Sequence, residues 1–184
     1  LSKTIGNIID PLELVEKFGI DPVRYYLLKE IPSYGDGDYS EDRFKEVYQS
    51  DLANGIGNLF SRVTNMVDQY LDGRVDKLES DLDVSLIHQC LENFQYDKAL
   101  DILLQKVSDL NKLIDDEKPW QLAKSEDKVD KEKLSQVLHK AVSDLSVIAR
   151  ELTPFLPNTG KVITEHLAKE KVTKAEPLFP RLDN

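Results

Sequence analysis

Apolar residues recur at helical spacing along most of the 184-residue chain, and hardly any segment shows the alternation of a β-strand. Three stripes carry the pattern most clearly, over residues 59–70, 99–113 and 134–152. Such a stripe buries one face of a helix and leaves the other face in water. The tail from 171 to 184 holds Pro177 and Pro180 and is expected to be extended. The pattern therefore predicts an all-α helix bundle with an extended C-terminal tail.

The predicted helix ends follow from capping and breaking residues. Asp10-Pro11 places a capping residue before a helix-compatible proline, and Gly19 is the predicted end of that helix. Asp21-Pro22 repeats the device and predicts a second helix over 23–31. One long helix is predicted from 40 to 71, with Gly73 after its last turn. Further helices are predicted over 84–94, 96–114, 133–152 and 161–169.

The charge balance argues against a general nucleic-acid binder. The chain has 24 Lys and Arg against 34 Asp and Glu, a formal net charge of -10, and an acidic body repels phosphates. The acid is unevenly spread: residues 10–51 hold 11 acidic and 5 basic side chains, whereas Arg62 is the only charged residue over 52–67. If the segment 52–67 binds RNA, we expect it to contact bases more than phosphates.

Three further observations limit the class of protein. Cys90 is the only cysteine, which excludes an intrachain disulfide framework and fits a reducing compartment, so we expect a cytoplasmic protein. No apolar run approaches the roughly 18 residues that span a bilayer, so no membrane segment is expected. The chain begins at Leu1 and its only methionine is Met66, from which we expect a piece of a longer protein.

An unusual polar stripe follows the predicted long helix. On a regular α-helix its members fall within a wedge of roughly 80°: Asn54, Asn58, Arg62, Asn65 and Gln69. Asparagine has poor helix propensity, and Gly55 and Gly57 lie in the same turn, each costing about 1 kcal/mol relative to alanine. One interpretation is a solvated face with packing glycines. The other is a hydrogen-bonding surface that reads the edges of unstacked RNA bases, since amides donate and accept together.

The only tryptophan follows a proline directly, in Lys118-Pro119-Trp120. A lone tryptophan commonly anchors a helix in the core. The alternative is an accessible ring on which a nucleic-acid base stacks. Both interpretations stay open at this point.

Several segments, in order, resemble one family of class I aminoacyl-tRNA synthetases. Residues 1–4 resemble the end of the KMSKS signature, and residues 21–28 resemble the helix that follows it. Residues 51–62, Lys118-Pro119-Trp120 and residues 178–181 are similar to the anticodon-binding domain of the methionyl-tRNA synthetases.

The resemblance implies a helical domain that recognises the CAU anticodon of methionine tRNA. Trp120 would stack on an anticodon base, with Pro119 shaping its approach. Asn58 and Arg62 would bond base edges, and Asn54 would lie one turn earlier on the same face. We therefore expect methionine tRNA as a partner.

The resemblance also implies that Ser2 and Lys3 belong to a mobile loop that contacts ATP phosphates, although Leu1 stands where Met is common and Thr4 where Ser is common. ATP, and any zinc ion, would belong to a catalytic domain of the same longer chain. We expect no cofactor, no metal site and no aminoacylation for these 184 residues alone.

The predicted organisation has three parts: 1–39 for the end of the KMSKS-like loop and short connecting helices, 40–170 for the helical anticodon-binding domain, and 171–184 for the tail. Two alternatives to the methionine assignment remain. One is the corresponding domain of a related class I synthetase for valine, isoleucine, leucine or cysteine. The other is a helical module that binds proteins.

Overall fold

The fold comes from a computed structural model that describes residues 10–32, 34, 37–76 and 79–182. Among these residues all regular structure is helical, which confirms the predicted all-α class. The helices are α1 (Pro11–Phe18), α2 (Ile20–Glu30), α3 (Glu41–Val47), a π-helical segment (Tyr48–Gly57), α4 (Asn58–Leu71), α5 (Ser85–Glu92), α6 (Tyr96–Glu117), α7 (Pro119–Leu122), α8 (Lys128–Leu152) and α9 (Pro157–Leu167). The described part of the tail, 171–182, contains no helix.

The first predicted helix start is confirmed. The Asp10 carboxylate accepts a hydrogen bond from the Leu12 backbone N–H at 2.8 Å, so it caps α1. Gly19, with a φ of 85°, ends that helix in a conformation that side-chain-bearing residues avoid.

The prediction that Asp21 caps the second helix is wrong. α2 begins at Ile20, so Asp21 lies inside its first turn and does not cap it. The carboxylate is buried and accepts bonds from the Thr159 backbone N–H at 2.6 Å and from the Thr159 hydroxyl at 2.7 Å. Because Thr159 lies in the first turn of α9, Asp21 caps a helix far away in the sequence.

The predicted long helix is helical throughout but changes its geometry in the middle. Between Tyr48 and Gly57 the backbone is π-helical, and the Asn58 N–H donates to the Ala53 carbonyl. The regular α-helical angle therefore does not apply to Asn54, although it holds from Asn58 onwards. α4 ends as predicted, because the Gly73 N–H donates to the Val67 carbonyl at 3.1 Å and Gly73 has a φ of 76°.

α8 is longer than predicted and organises the core. It begins at Lys128, five residues before the predicted start at 133, and Asp127 accepts a bond from the Val129 N–H at 2.8 Å. α8 packs against α4, α6 and α9. One hydrophobic cluster joins side chains from α2 to the tail, including Tyr25, Phe60 and Phe179. The division at residues 39 and 170 stays a prediction.

Among the residues that the structure describes, no helix is both long enough and apolar enough to cross a membrane.

Candidate nucleic-acid interface

Three residues of the polar stripe line one groove. The groove has a volume of about 420 Å³ and lies between the π-helical segment with the start of α4 on one side and α6 on the other. Asn54, Asn58 and Arg62 line the first side, and Asn111 and Asp115 line the second. The structure thus brings the three predicted base-contacting side chains of this segment together.

Arg62 is held across the groove by two acceptors. Its Nη1 donates to Asn111 Oδ1 at 2.8 Å, and its Nη2 donates to Asp115 Oδ1 at 2.5 Å. The Asn111 amide is itself oriented, because its Nδ2 donates to the Val107 carbonyl at 3.2 Å. The guanidinium keeps further N–H donors and is therefore a preoriented planar donor at the groove surface.

Asn54 and Asn58, on the same side of the groove as Arg62, are exposed. Asn54 Oδ1 accepts a long bond from Gln49 Nε2 at 3.4 Å, while the Asn58 amide makes no side-chain hydrogen bond to a described residue. A carboxamide in that position offers a donor and an acceptor together, which suits the edge of a base.

The same asparagines line a second groove, of about 500 Å³, against the tail. The tail is fixed there by the Tyr48 hydroxyl, which donates to the Pro180 carbonyl at 2.8 Å, and by the ring of Phe179 over Gly57. A Cβ on Gly57 would lie 3.3 Å from that ring and 3.1 Å from a backbone carbonyl, so close packing explains this glycine. Burial also raises the pKa of the Tyr48 hydroxyl.

The first groove, between the π-helical segment and α6, is more acidic than the sequence segment 52–67 indicates. Asp51 and Asp115 line it together with Arg62, which gives these lining side chains a formal charge of -1. Both oxygens of Asp51 are used: the Tyr25 hydroxyl donates to one at 2.8 Å and the Ser50 hydroxyl to the other at 2.6 Å. Burial, and then the Asp51 charge, raise the pKa of the Tyr25 hydroxyl well above its ordinary value. Sequence reasoning missed Asp115 and Asn111 because both lie on a different helix.

Pro119 and Trp120 lie on α7, directly after α6 ends. Lys118 has a φ of 47° and a ψ of 60°, and its N–H donates to the Ile114 carbonyl at 3.1 Å, which closes α6 and turns the chain into α7. A left-handed conformation costs a side-chain-bearing residue roughly 1–2 kcal/mol. Pro119 is buried, and Trp120 packs against the core while remaining partly exposed.

The remaining predicted residues lie elsewhere. Pro119 and Trp120 are not among the residues that line the two grooves, nor are Asn65, which is partly buried, and Gln69, which is exposed. The predicted ATP contacts, Ser2 and Lys3, fall outside the described residues.

Within the described ranges no group of three or more His, Cys, Asp and Glu side chains is placed to hold a metal ion. The histidines have structural partners instead: His88 Nε2 lies 2.7 Å from the buried Glu151 carboxylate, and His166 Nε2 lies 2.7 Å from the Thr173 carbonyl.

Known proteins similar to this chain are class I tRNA synthetases. A family model described as tRNA synthetases class I (M) matches residues 1–64. The methionine–tRNA ligase of Clostridium acetobutylicum is 39% identical and that of Bacillus subtilis 34%, each over 100% of this chain and over 33% and 32% of the relative. A crystal structure of ligand-free Mycobacterium tuberculosis methionyl-tRNA synthetase superposes with a TM-score of 0.88 at 26% identity, covering 97% of this chain and 42% of that one.

Over its full length the chain is thus similar to methionyl-tRNA synthetases, and its first 64 residues match the class I model. It spans about a third of the length of the curated relatives it matches.

Proposed function

We propose that the chain is the anticodon-recognising part of a methionine–tRNA ligase and binds the CAU anticodon of methionine tRNA. The longer protein would charge this tRNA in the cytoplasm with ATP. The observation that carries the proposal is the groove in which Asn54, Asn58 and Arg62 meet, in a chain whose relatives are methionine–tRNA ligases.

The chemistry of the groove suits bases better than phosphates. Its exposed amides and the Arg62 guanidinium can bond the polar edges of unstacked bases. Its formal charge of -1 gives no general attraction for the RNA backbone. An anticodon loop presents such unstacked bases, whereas a duplex presents mainly its phosphates and sugars.

Stacking is the second part of the proposal. The accessible part of the Trp120 ring would support one anticodon base, with Pro119 fixing the turn that carries it. Trp120 follows the C-terminal end of α6. That end is connected to the groove, because Asp115, near the end of α6, bonds Arg62.

Catalysis is assigned to the longer protein. Ser2 and Lys3 are proposed as ATP-phosphate contacts there, on their sequence resemblance to the KMSKS loop alone. We expect the 184-residue chain by itself to bind tRNA weakly and to form no aminoacyl-tRNA.

Competition binding tests the anticodon assignment. Methionine tRNA should displace a labelled copy of itself. A transcript with a changed first anticodon base should compete with an affinity lower by roughly tenfold or more, because donors and acceptors in the groove lose their partners. A transcript altered only outside the anticodon loop is the control. Equal competition by the wild-type and altered anticodons would overturn the proposal.

An arginine pair sharpens the test. Arg62→Ala should reduce the preference for the CAU anticodon, whereas Arg43→Ala should not, because Arg43 lies on α3 and pairs with Glu30 and Glu46. If both variants change the preference equally, the effect is one of net charge and Arg62 does not read a base.

A further inference from the structure

Lys118 combines a left-handed backbone conformation with an exposed, positively charged side chain. Its φ of 47° belongs to the left-handed region, where glycine or asparagine is the usual residue. Its side chain is exposed and makes no ion pair with a described residue. The neighbouring Glu117 pairs with Lys133 on α8 at 2.6 Å instead. Helix capping would be served as well by glycine, so capping alone does not account for a lysine here.

The charged side chains that line the groove do not attract RNA phosphates. Arg62 is paired with Asp115, and Asp51 adds a further carboxylate, so the described side chains that line the groove present no unpaired positive charge to RNA. A base that enters the groove or stacks on Trp120 brings its own phosphates with it. An ammonium just outside the groove, next to the stacking residue, would neutralise one of them.

We propose that Lys118 binds a phosphate of the nucleotide that stacks on Trp120, which rests on the proposed anticodon function. The left-handed turn at Lys118 ends α6 and starts α7, so Lys118 and Trp120 lie two residues apart at the same turn of the backbone. The long flexible stem and the three-donor ammonium suit a phosphate that moves with its base. Lys118 is thus a phosphate contact, and base selection stays with Asn58 and Arg62.

Salt-dependent binding of methionine tRNA tests the assignment with three variants. Lys118→Gly removes the charge and relaxes the left-handed backbone, Lys118→Arg keeps the charge, and Lys169→Gln removes an exposed lysine after α9 that has no ion pair with a described residue. One phosphate contact on a single strand contributes a salt slope of about 0.7, which is about fivefold in affinity between about 1 M and about 0.1 M salt.

Lys118→Gly should bind about fivefold more weakly near 0.1 M salt and almost equally near 1 M, with unchanged anticodon preference and no loss of thermal stability. Lys118→Arg and Lys169→Gln should bind like the wild type. An unchanged salt slope in Lys118→Gly, or an equal loss at every salt concentration, would overturn the role of Lys118. In the same titrations, a wild-type chain that does not distinguish anticodons would instead overturn the proposed function.

Discussion

A Trp120→Leu variant should keep much of the packing of α7 against α8 and lose the plane on which a base can stack. Trp120 contacts the core cluster and is only partly buried, so it contributes to stability and keeps some exposure to solvent. Leucine fills part of the same apolar space but offers no aromatic face. Comparison with Trp120→Ala then separates packing from stacking.

The magnitudes follow from the burial. Truncation of a core tryptophan to alanine costs about 3–5 kcal/mol, so a partly buried ring should cost about 2–3 kcal/mol. For a chain of this length that lowers the Tm by roughly 4–12 °C. Trp120→Leu should lose only about 1 kcal/mol of stability. Both variants should lose about 1–3 kcal/mol of binding to methionine tRNA, which is roughly fivefold to 150-fold in Kd.

The assay uses the only tryptophan of the chain as its own reporter. Adding methionine tRNA to the wild type should quench the Trp120 fluorescence, and binding of the variants is followed with labelled tRNA beside thermal unfolding. If Trp120→Leu binds like the wild type and the wild-type fluorescence does not change, Trp120 is only a core anchor and the stacking role is refuted.

Two further predictions concern the frame of the site. Asp21→Ala should cost about 3 kcal/mol because it leaves a buried helix start uncapped, whereas Asp10→Ala, at an exposed cap, should cost only about 1 kcal/mol; equal losses in denaturant unfolding would contradict the buried cap. Gly57→Ala should loosen the tail and speed its proteolysis, since its Cβ would crowd Phe179, whereas Gly55→Ala should stabilise by up to about 1 kcal/mol. Equal proteolysis of the two glycine variants would show that Gly57 does not seat the tail.

The features that could be predicted from the sequence are those that depend on neighbouring residues. The helical class, the Asp10 cap and the end of α4 near Gly73 depend on residues within a few positions of one another, and the structure confirms them. Helix boundaries moved where capping chemistry was overlooked, as at Asp127, which starts α8 early.

What depends on distant contacts was not predicted. Asp21 looked like a local cap, but its partner Thr159 lies 138 residues further along the chain. Asp115 reaches Arg62 across 53 residues, so the sequence segment around Arg62 seemed free of acidic charge when the folded groove is not. The π-helical turn around Asn54 has no sequence signal in the 3.6-residue period.

A double-mutant cycle measures directly whether the groove reads a base. Asn58 is exposed and makes no side-chain hydrogen bond to a described residue, so Asn58→Ala should leave the fold unchanged. Binding of the wild type and of Asn58→Ala is measured with methionine tRNA and with transcripts changed at each anticodon position. If Asn58 reads a base, Asn58→Ala should weaken binding of the CAU anticodon and have little effect on one altered transcript, a coupling of about 1 kcal/mol or more. A loss by the same factor with every transcript would contradict it.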